Sequence, residues 1–273
     1  MVRIQIMSDL HLDTEEISEF DIKPEAPYLA LLGDIGNLTL WFKEDLLKFL
    51  ERQLRKFKVN AKAILNKFSN DMAIKAMKPR NKNLGKFVLL DDSRYDIPTE
   101  KITILGGTLF THPPLDKLDV IDKYYSKLLP VPDWGTEQHI KAHAATLDFF
   151  GRTCKAIEEQ DPGRAVVILT HHCPTLDPNV IGPHYLPRYH ESIYWGASEI
   201  GYHPPLAWGA NVRLWAFGCT RYNCDHEDAR TLRRLYSNQR GPFDSCDEFD
   251  PENFVDVMPF EDLPDCEFSE DEW

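Results

Sequence analysis

Apolar and polar residues alternate at the start of the chain, where Arg3 and Gln5 separate Val2, Ile4 and Ile6. That is the period of a strand with one buried face. Tyr28-Leu29-Ala30-Leu31-Leu32 is a continuous apolar run, which predicts a parallel strand covered on both sides. Between Leu40 and Phe57 the period changes to that of a helix, with Phe42, Leu46, Leu47, Leu50, Leu54 and Phe57 on one side and charges opposite. Lys58 to Leu65 predicts another strand, polar for a central position. Phe87–Leu90, Ile102–Leu105 and, after Gly106-Gly107, Thr108–Phe110 predict short strands whose close spacing suggests antiparallel additions to a sheet. Thr136 to Glu159 predicts a helix, and Arg164–Thr170 and Arg213–Phe217 predict strands. Lys75 to Lys86 reads as a loop and a short helix. Leu115 to Trp134, aromatic and proline-punctuated, reads as a loop over a pocket mouth. The long segment from Leu176 to Pro205 lacks strong periodicity, as functional lids often do. Strands alternating with helices predict an α/β protein.

Composition narrows the class. A chain of 273 residues with 42% hydrophobic content can bury a full core in one large domain. No apolar run reaches the roughly 20 residues of a membrane helix, and no signal peptide is recognisable, so the expected compartment is cytoplasmic. The six cysteines show no C-x-x-C pair, and reduced thiols are expected. The net charge of −13 is concentrated: residues 243–273 carry 13 Asp and Glu with no Lys, Arg or His, leaving the body near neutral. The chain therefore divides into a domain at 1–242 and an acidic tail at 243–273, whose stretch 253–260 suits an edge strand. No basic face suggests nucleic acid. The expected partner is a small-molecule substrate, and a protein partner on the acidic tail is the further possibility.

The candidate chemistry lies where strands end. In an open α/β sheet, residues just past the carboxyl ends of strands face the ligand crevice. The first strand ends in Asp9-Leu10-His11, one hard oxygen and one nitrogen for a cation. The second ends in Gly33-Asp34, the strand at 164–170 delivers His171-His172-Cys173-Pro174, and the last runs into Gly218-Cys219-Thr220-Arg221-Tyr222. His139 and His143 lie one helical turn apart, a spacing that more often packs than binds metal.

Taken in order, Asp9-x-His11, Gly33-Asp34, Thr170-His171-His172-x-Pro174 and Phe217-Gly218-x-Thr220 resemble the motif series of the calcineurin-like metallophosphoesterases. The resemblance covers roughly residues 2 to 240. It implies a four-layer sandwich of two mixed β-sheets flanked by helices, with two metal ions at the strand ends activating a hydroxide. It marks Asp9, His11, Asp34 and His171 as retained ligands, with His172 as the alternative to His171.

The remaining motifs depart from the family. No Gly-Asn-His-Asp/Glu occurs; Leu65-Asn66-Lys67-Phe68 puts Asn66 at a ligand position and Lys67 where the catalytic histidine belongs. In the last motif Cys219 and Arg221 replace both histidines. A two-metal site holds ions about 3.5–4 Å apart and needs ligands for both. Lys67 and Arg221 are expected to set fixed positive charges beside Asp9 and Asp34, satisfying the carboxylates in place of metal. The sequence thus predicts a repurposed, metal-independent enzyme of isomerase, lyase or cyclase type. His11, Asp34, Lys67, His171 and Arg221 would act on a small organic molecule held by Asp9, Asn66, His172, Cys219 and Tyr222. Aromatic residues of 118–134 and 176–208 (Tyr124, Tyr125, Trp134, Tyr185, Tyr189, Tyr194, Trp195, Trp208) would wall the pocket. No cofactor is expected on this reading. The alternatives are a divergent phosphoesterase with a single divalent metal (zinc, manganese or iron) on Asp9, His11, Asp34, Asn66 and His171, and a non-catalytic pseudoenzyme.

Overall fold

The alternation at the amino terminus becomes strand β1 (Val2–Met7), and the apolar run becomes β2 (Tyr28–Leu31), parallel to it. The computed structural model describes residues 1–12, 16–36, 43–63, 85–97, 99–127, 134–183, 191–200, 209, 211–228 and 233–259. The other strands are β3 (Val59–Ala63), β4 (Lys86–Leu90), β5 (Ser93–Asp96), β6 (Ile102–Gly107), β7 (Ala165–Thr170), β8 (Val212–Ala216), β9 (Cys224–Asp228), β10 (Arg233–Ser237) and β11 (Phe254–Val257). They form a five-stranded sheet in the order β11-β1-β2-β3-β4 and a six-stranded sheet in the order β5-β6-β7-β8-β10-β9.

Both sheets are mixed, with parallel centres. In the first, β1 to β4 run parallel and β11 is antiparallel at the edge. In the second, β6, β7, β8 and β10 run parallel between antiparallel β5 and β9. The period of two assigns the layers. Ile4, Ile6, Ala30 and Leu32 of the first sheet meet Ile104, Val167, Leu169, Leu214 and Ala216 of the second in a core between the sheets. Their neighbours face outward: Leu29 and Leu31 pack on Leu46, Phe49 and Leu50 of helix Lys43–Leu54. Val166, Ile168 and Trp215 pack on Phe150, Cys154 and Ile157 of helix Thr136–Gln160. Helix, sheet, sheet, helix is the four-layer sandwich expected.

Several elements differ from the sequence expectation. Thr108–Phe110 is not a strand: Leu109 turns to a φ of 52°, and the Thr108 carbonyl accepts from the backbone N–H of His172 (3.2 Å) rather than from a ladder partner. Strand β4 joins the first sheet parallel to β3, and the antiparallel addition is β5 on β6. The segment 115–134 contains a helix, Asp119–Lys127, in which Val120 and Ile121 are buried. Part of the acidic segment belongs to the fold. β11 pairs with β1 in the register Val2↔Val257 and Ile4↔Val255, placing Val255 and Val257 in the inter-sheet core. Residues 64–84, with Asn66 and Lys67, lie outside the described residues, as do Tyr185, Tyr189, Trp208 and residues 260–273. Among the described residues no helix is long and apolar enough to cross a membrane.

Candidate functional site

The parallel centres send the carboxyl ends of β1, β2, β7 and β8 to one edge of the sandwich, where the loops leaving them touch. Asp9 N–H donates to the Gly33 carbonyl (3.0 Å) and His11 N–H to the Asp34 carbonyl (2.9 Å). Gly218 N–H donates to the His171 carbonyl (2.8 Å), and Cys219 N–H to Asp9 Oδ2 (3.0 Å). The edge of β10 closes the ring: Ser8 N–H donates to the Asn238 carbonyl (3.0 Å) and Gly241 N–H to the Asp9 carbonyl (2.9 Å). Asp9, His11, Asp34, Cys219 and Arg221 all have positive φ, between 45° and 67°. Such left-handed backbone is uncommon outside glycine, and its clustering at strand ends marks a functional edge.

Three glycines make the convergence possible. A Cβ on Gly33 (φ 147°) would lie 2.3 Å from His171 Nδ1. One on Gly218 would lie 2.0 Å from Ser8 Oγ and 2.4 Å from Asp9 Oδ2, and one on Gly196 2.8 Å from the Cys219 carbonyl and 3.1 Å from its Sγ. Each candidate side chain thus sits against a backbone that only glycine keeps clear.

Asp9 is buried, and its Oδ2 accepts from Ser8 Oγ (2.6 Å) as well as from Cys219 N–H. Burial pushes its carboxyl above the usual range, His171 pulls it back, and neighbouring Asp34 pushes it up again. His11 Nε2 lies 3.9 Å from Asp9 Oδ1, and His171 Nε2 3.7 Å from Asp34 Oδ2. The Nδ1 of His171 is buried with no hydrogen-bond partner. Donor atoms of Asp9, Asp34 and His171 lie within 4.8 Å of one another, and so do those of His171, His172 and Cys219. Among the described residues no lysine or arginine pairs with Asp9 or Asp34. Two close carboxylates, one buried, beside an imidazole are a donor set that fits a divalent cation.

The structure brings together most of the residues singled out in sequence. Asp9, His11, Asp34, Cys219 and Arg221 line a cavity of about 270 Å³ whose other side is Ile181, Ile193, Trp195 and Ala197. Arg221, expected to neutralise the acids, is an exposed cavity residue and forms no ion pair with either; its backbone is left-handed, and its N–H donates to Gln239 Oε1 (2.9 Å). His172 is buried behind the cavity, with Nδ1 3.3 Å from the Thr108 carbonyl. Tyr222 contributes its carbonyl, which accepts from Thr220 Oγ1 (3.2 Å) and Gln239 Nε2 (2.9 Å), and its ring is not part of the cavity wall. Of the aromatic residues, Trp195 lines the cavity, Tyr194 packs into the outer core and Trp134 stacks on Phe110 (4.9 Å). Gly33 and Gly218 stand in the strand-end motifs, whereas the positions of Gln239, Ser8 and Gly196 were not signalled by any motif, because what matters in each is a fit to a distant loop.

Behind the site lies a packed histidine group. His139 Nε2 shares a hydrogen with Thr111 Oγ1 (3.0 Å), and His143 Nδ1 meets the Phe110 carbonyl. The helical pair is therefore a packing pair. Burial pushes His139 down to about 3 and holds His172 well below the ordinary histidine value. A base depressed on folding contributes stability that is complete above about pH 6.5 and is lost as the pH falls toward the folded value. We expect stability to fall by about 1.4 kcal/mol per pH unit per such histidine below pH 6.5. The raised Asp9 carboxyl works in the opposite sense. The His139→Gln variant isolates the imidazole: its urea stability should lose about 2 kcal/mol less than wild type between pH 6.5 and 5. Equal acid losses in the two proteins would contradict this assignment.

No protein-family model matches the sequence, and no curated protein matches it. Among solved structures, the phosphopantetheinyl hydrolase PptH from Mycobacterium tuberculosis is similar in fold, with a TM-score of 0.58 and 17% identity over 89% of this chain and 93% of that one. The NAD nucleotidase NadN from Haemophilus influenzae aligns with a TM-score of 0.39 and 14% identity, over 87% of this chain and 42% of that one. The first likeness shows the fold: an α/β sandwich of the phosphoesterase kind.

Proposed function

We propose that the crevice hydrolyses a phosphate ester with the help of a divalent cation held by Asp9, Asp34 and His171. The observation that carries this reading is the set of three donors within 4.8 Å, with a buried Asp9 that no described lysine or arginine neutralises. The fold shared with a hydrolase supports the same class. The metal-free reading rested on cations beside the two acids; Arg221 makes no such pair, and Lys67 lies outside the described residues.

A divalent ion in this set supplies charge stabilisation at a phosphoryl oxygen and lowers the pKa of water. The chain's own residues then have distinct parts. Arg221, with its planar fork of N–H donors, stands on the cavity wall to meet a second phosphoryl oxygen. His11, about a third exposed and with Nε2 3.9 Å from Asp9 Oδ1, is placed to hold a proton for the departing oxygen. Ile181, Ile193 and Trp195 exclude water from the far wall and suit an organic leaving group.

The test is metal content and turnover of the purified full chain. We expect stoichiometric zinc, manganese or iron, and hydrolysis of an aryl phosphate such as p-nitrophenyl phosphate that a chelator abolishes and added metal restores. A metal-free protein with no such hydrolysis removes the reading. Chelator-resistant conversion of an organic substrate without phosphate release would instead favour metal-free acid–base chemistry by His11 and His171.

A further inference from the structure

The reading above uses one face of His171 and leaves its other neighbours unassigned. Resting on the view that the crevice holds a divalent ion, we infer that His172 and Cys219 join His171 as a nitrogen–nitrogen–sulfur face that selects zinc over manganese or magnesium. Three observations carry this.

The donor atoms of His171, His172 and Cys219 all lie within 4.8 Å of one another, and the trio shares His171 with the carboxylate trio. An ion drawn toward this side meets imidazole and sulfur, whereas magnesium and manganese favour oxygen donors and water. His172 is also oriented as a ligand would be. Its Nδ1 lies 3.3 Å from the Thr108 carbonyl, and the tautomer that donates a proton there carries its lone pair on Nε2. Metal-binding histidines commonly fix their tautomer in this way, through the nitrogen that does not bind.

Cys219 is placed rather than merely packed. It takes a φ of 67°, its N–H is held by Asp9 Oδ2, and Gly196 leaves just the space that its carbonyl and Sγ occupy. An inert buried thiol needs neither the strained backbone nor a cavity-lining position. On binding, the S–H bond breaks, its proton passes to solvent, and the sulfur lone pair forms the bond to the ion, so the zinc complex gains one positive charge relative to the bare protein.

Cobalt(II) reports the sulfur directly. The full chain, stripped and reloaded with cobalt, should show a near-ultraviolet thiolate-to-cobalt charge-transfer band that Cys219→Ser removes while cobalt stays bound. By competition titration, His172→Gln should weaken zinc binding at least about tenfold and leave manganese binding within about twofold. Thermal melts of both variants establish that they fold. Stoichiometric cobalt without the band, or zinc affinity unchanged in both variants, overturns the inference while leaving the hydrolytic reading standing. A cysteine-dependent band in a protein with no phosphate-ester hydrolysis sustains the inference and removes that reading. A chain that binds no cobalt, zinc, manganese or iron removes both.

Discussion

The Asp9→Asn variant is expected to lose metal binding and to hydrolyse phosphate esters roughly 10³-fold more slowly, the order of loss when a group that organises transition-state charge is removed. In its metal-free form it should nevertheless unfold at higher urea than wild type, by on the order of 1 kcal/mol. The two effects have one cause. Asp9 is buried, its carboxyl is pushed up by burial and by Asp34, and no described lysine or arginine offsets it. Asparagine is nearly the same size, and its side-chain oxygen can still accept from Ser8 Oγ and Cys219 N–H. What disappears is the charge, which strains the empty site and binds the ion. Wild type should recover the difference when saturating metal is added, since a ligand that binds only the folded state stabilises it. Denaturation of both proteins with and without zinc measures this directly. A variant less stable than wild type without metal would show that Asp9 is held for structure and not for an ion.

Strand ends were legible in the sequence because they rest on a simple rule: a buried strand is apolar along its length, and the first polar residue past it enters the crevice. Asp9, Asp34 and His171 were found in that way, and the structure sets donor atoms of all three within 4.8 Å of one another. Layering was legible too, since the alternation of Leu29, Ala30 and Leu31 decides which side chain meets a helix and which meets the other sheet. What the motif positions could not convey is where a replacement side chain points. Arg221 occupies a ligand slot by sequence, yet it is exposed and pairs with neither acid, so its charge does not substitute for metal in the way its position suggested. Helix Asp119–Lys127 was hidden by its flanking prolines and aromatics, which carry more local weight than the two buried positions Val120 and Ile121.

Gly33 and Gly218 were visible as motif residues, but what each makes room for was not, because that partner lies far away in sequence. Gly33→Ala should therefore be among the most damaging small substitutions in the chain. A Cβ there would lie 2.3 Å from Nδ1, 2.7 Å from Cγ and 3.1 Å from Cβ of His171, and the backbone φ of 147° is one that alanine rarely adopts. Strain and overpacking each cost about 1–3 kcal/mol, so a loss of about 3 kcal/mol is expected. At roughly 2–4 °C per kcal/mol for a chain of this size, the melting temperature should fall by roughly 6–12 °C. The imidazole cannot yield without leaving the donor set, because its ring also packs against His172 at 4.9 Å between centroids. Metal binding should thus fall even at temperatures where the variant is folded. Gly135→Ala is the matched control: its added methyl would meet nothing closer than Gln138 Oε1 at 3.5 Å, and it should stay within about 1 kcal/mol of wild type with metal binding unchanged. Gly218→Ala separates the two contributions. Its backbone is not left-handed, so its damage comes only from the 2.0 Å and 2.4 Å approaches to Ser8 Oγ and Asp9 Oδ2. If Gly33→Ala and Gly135→Ala proved alike in melting temperature and metal affinity, the close packing of His171 against the second strand's turn would not be what positions the ligand.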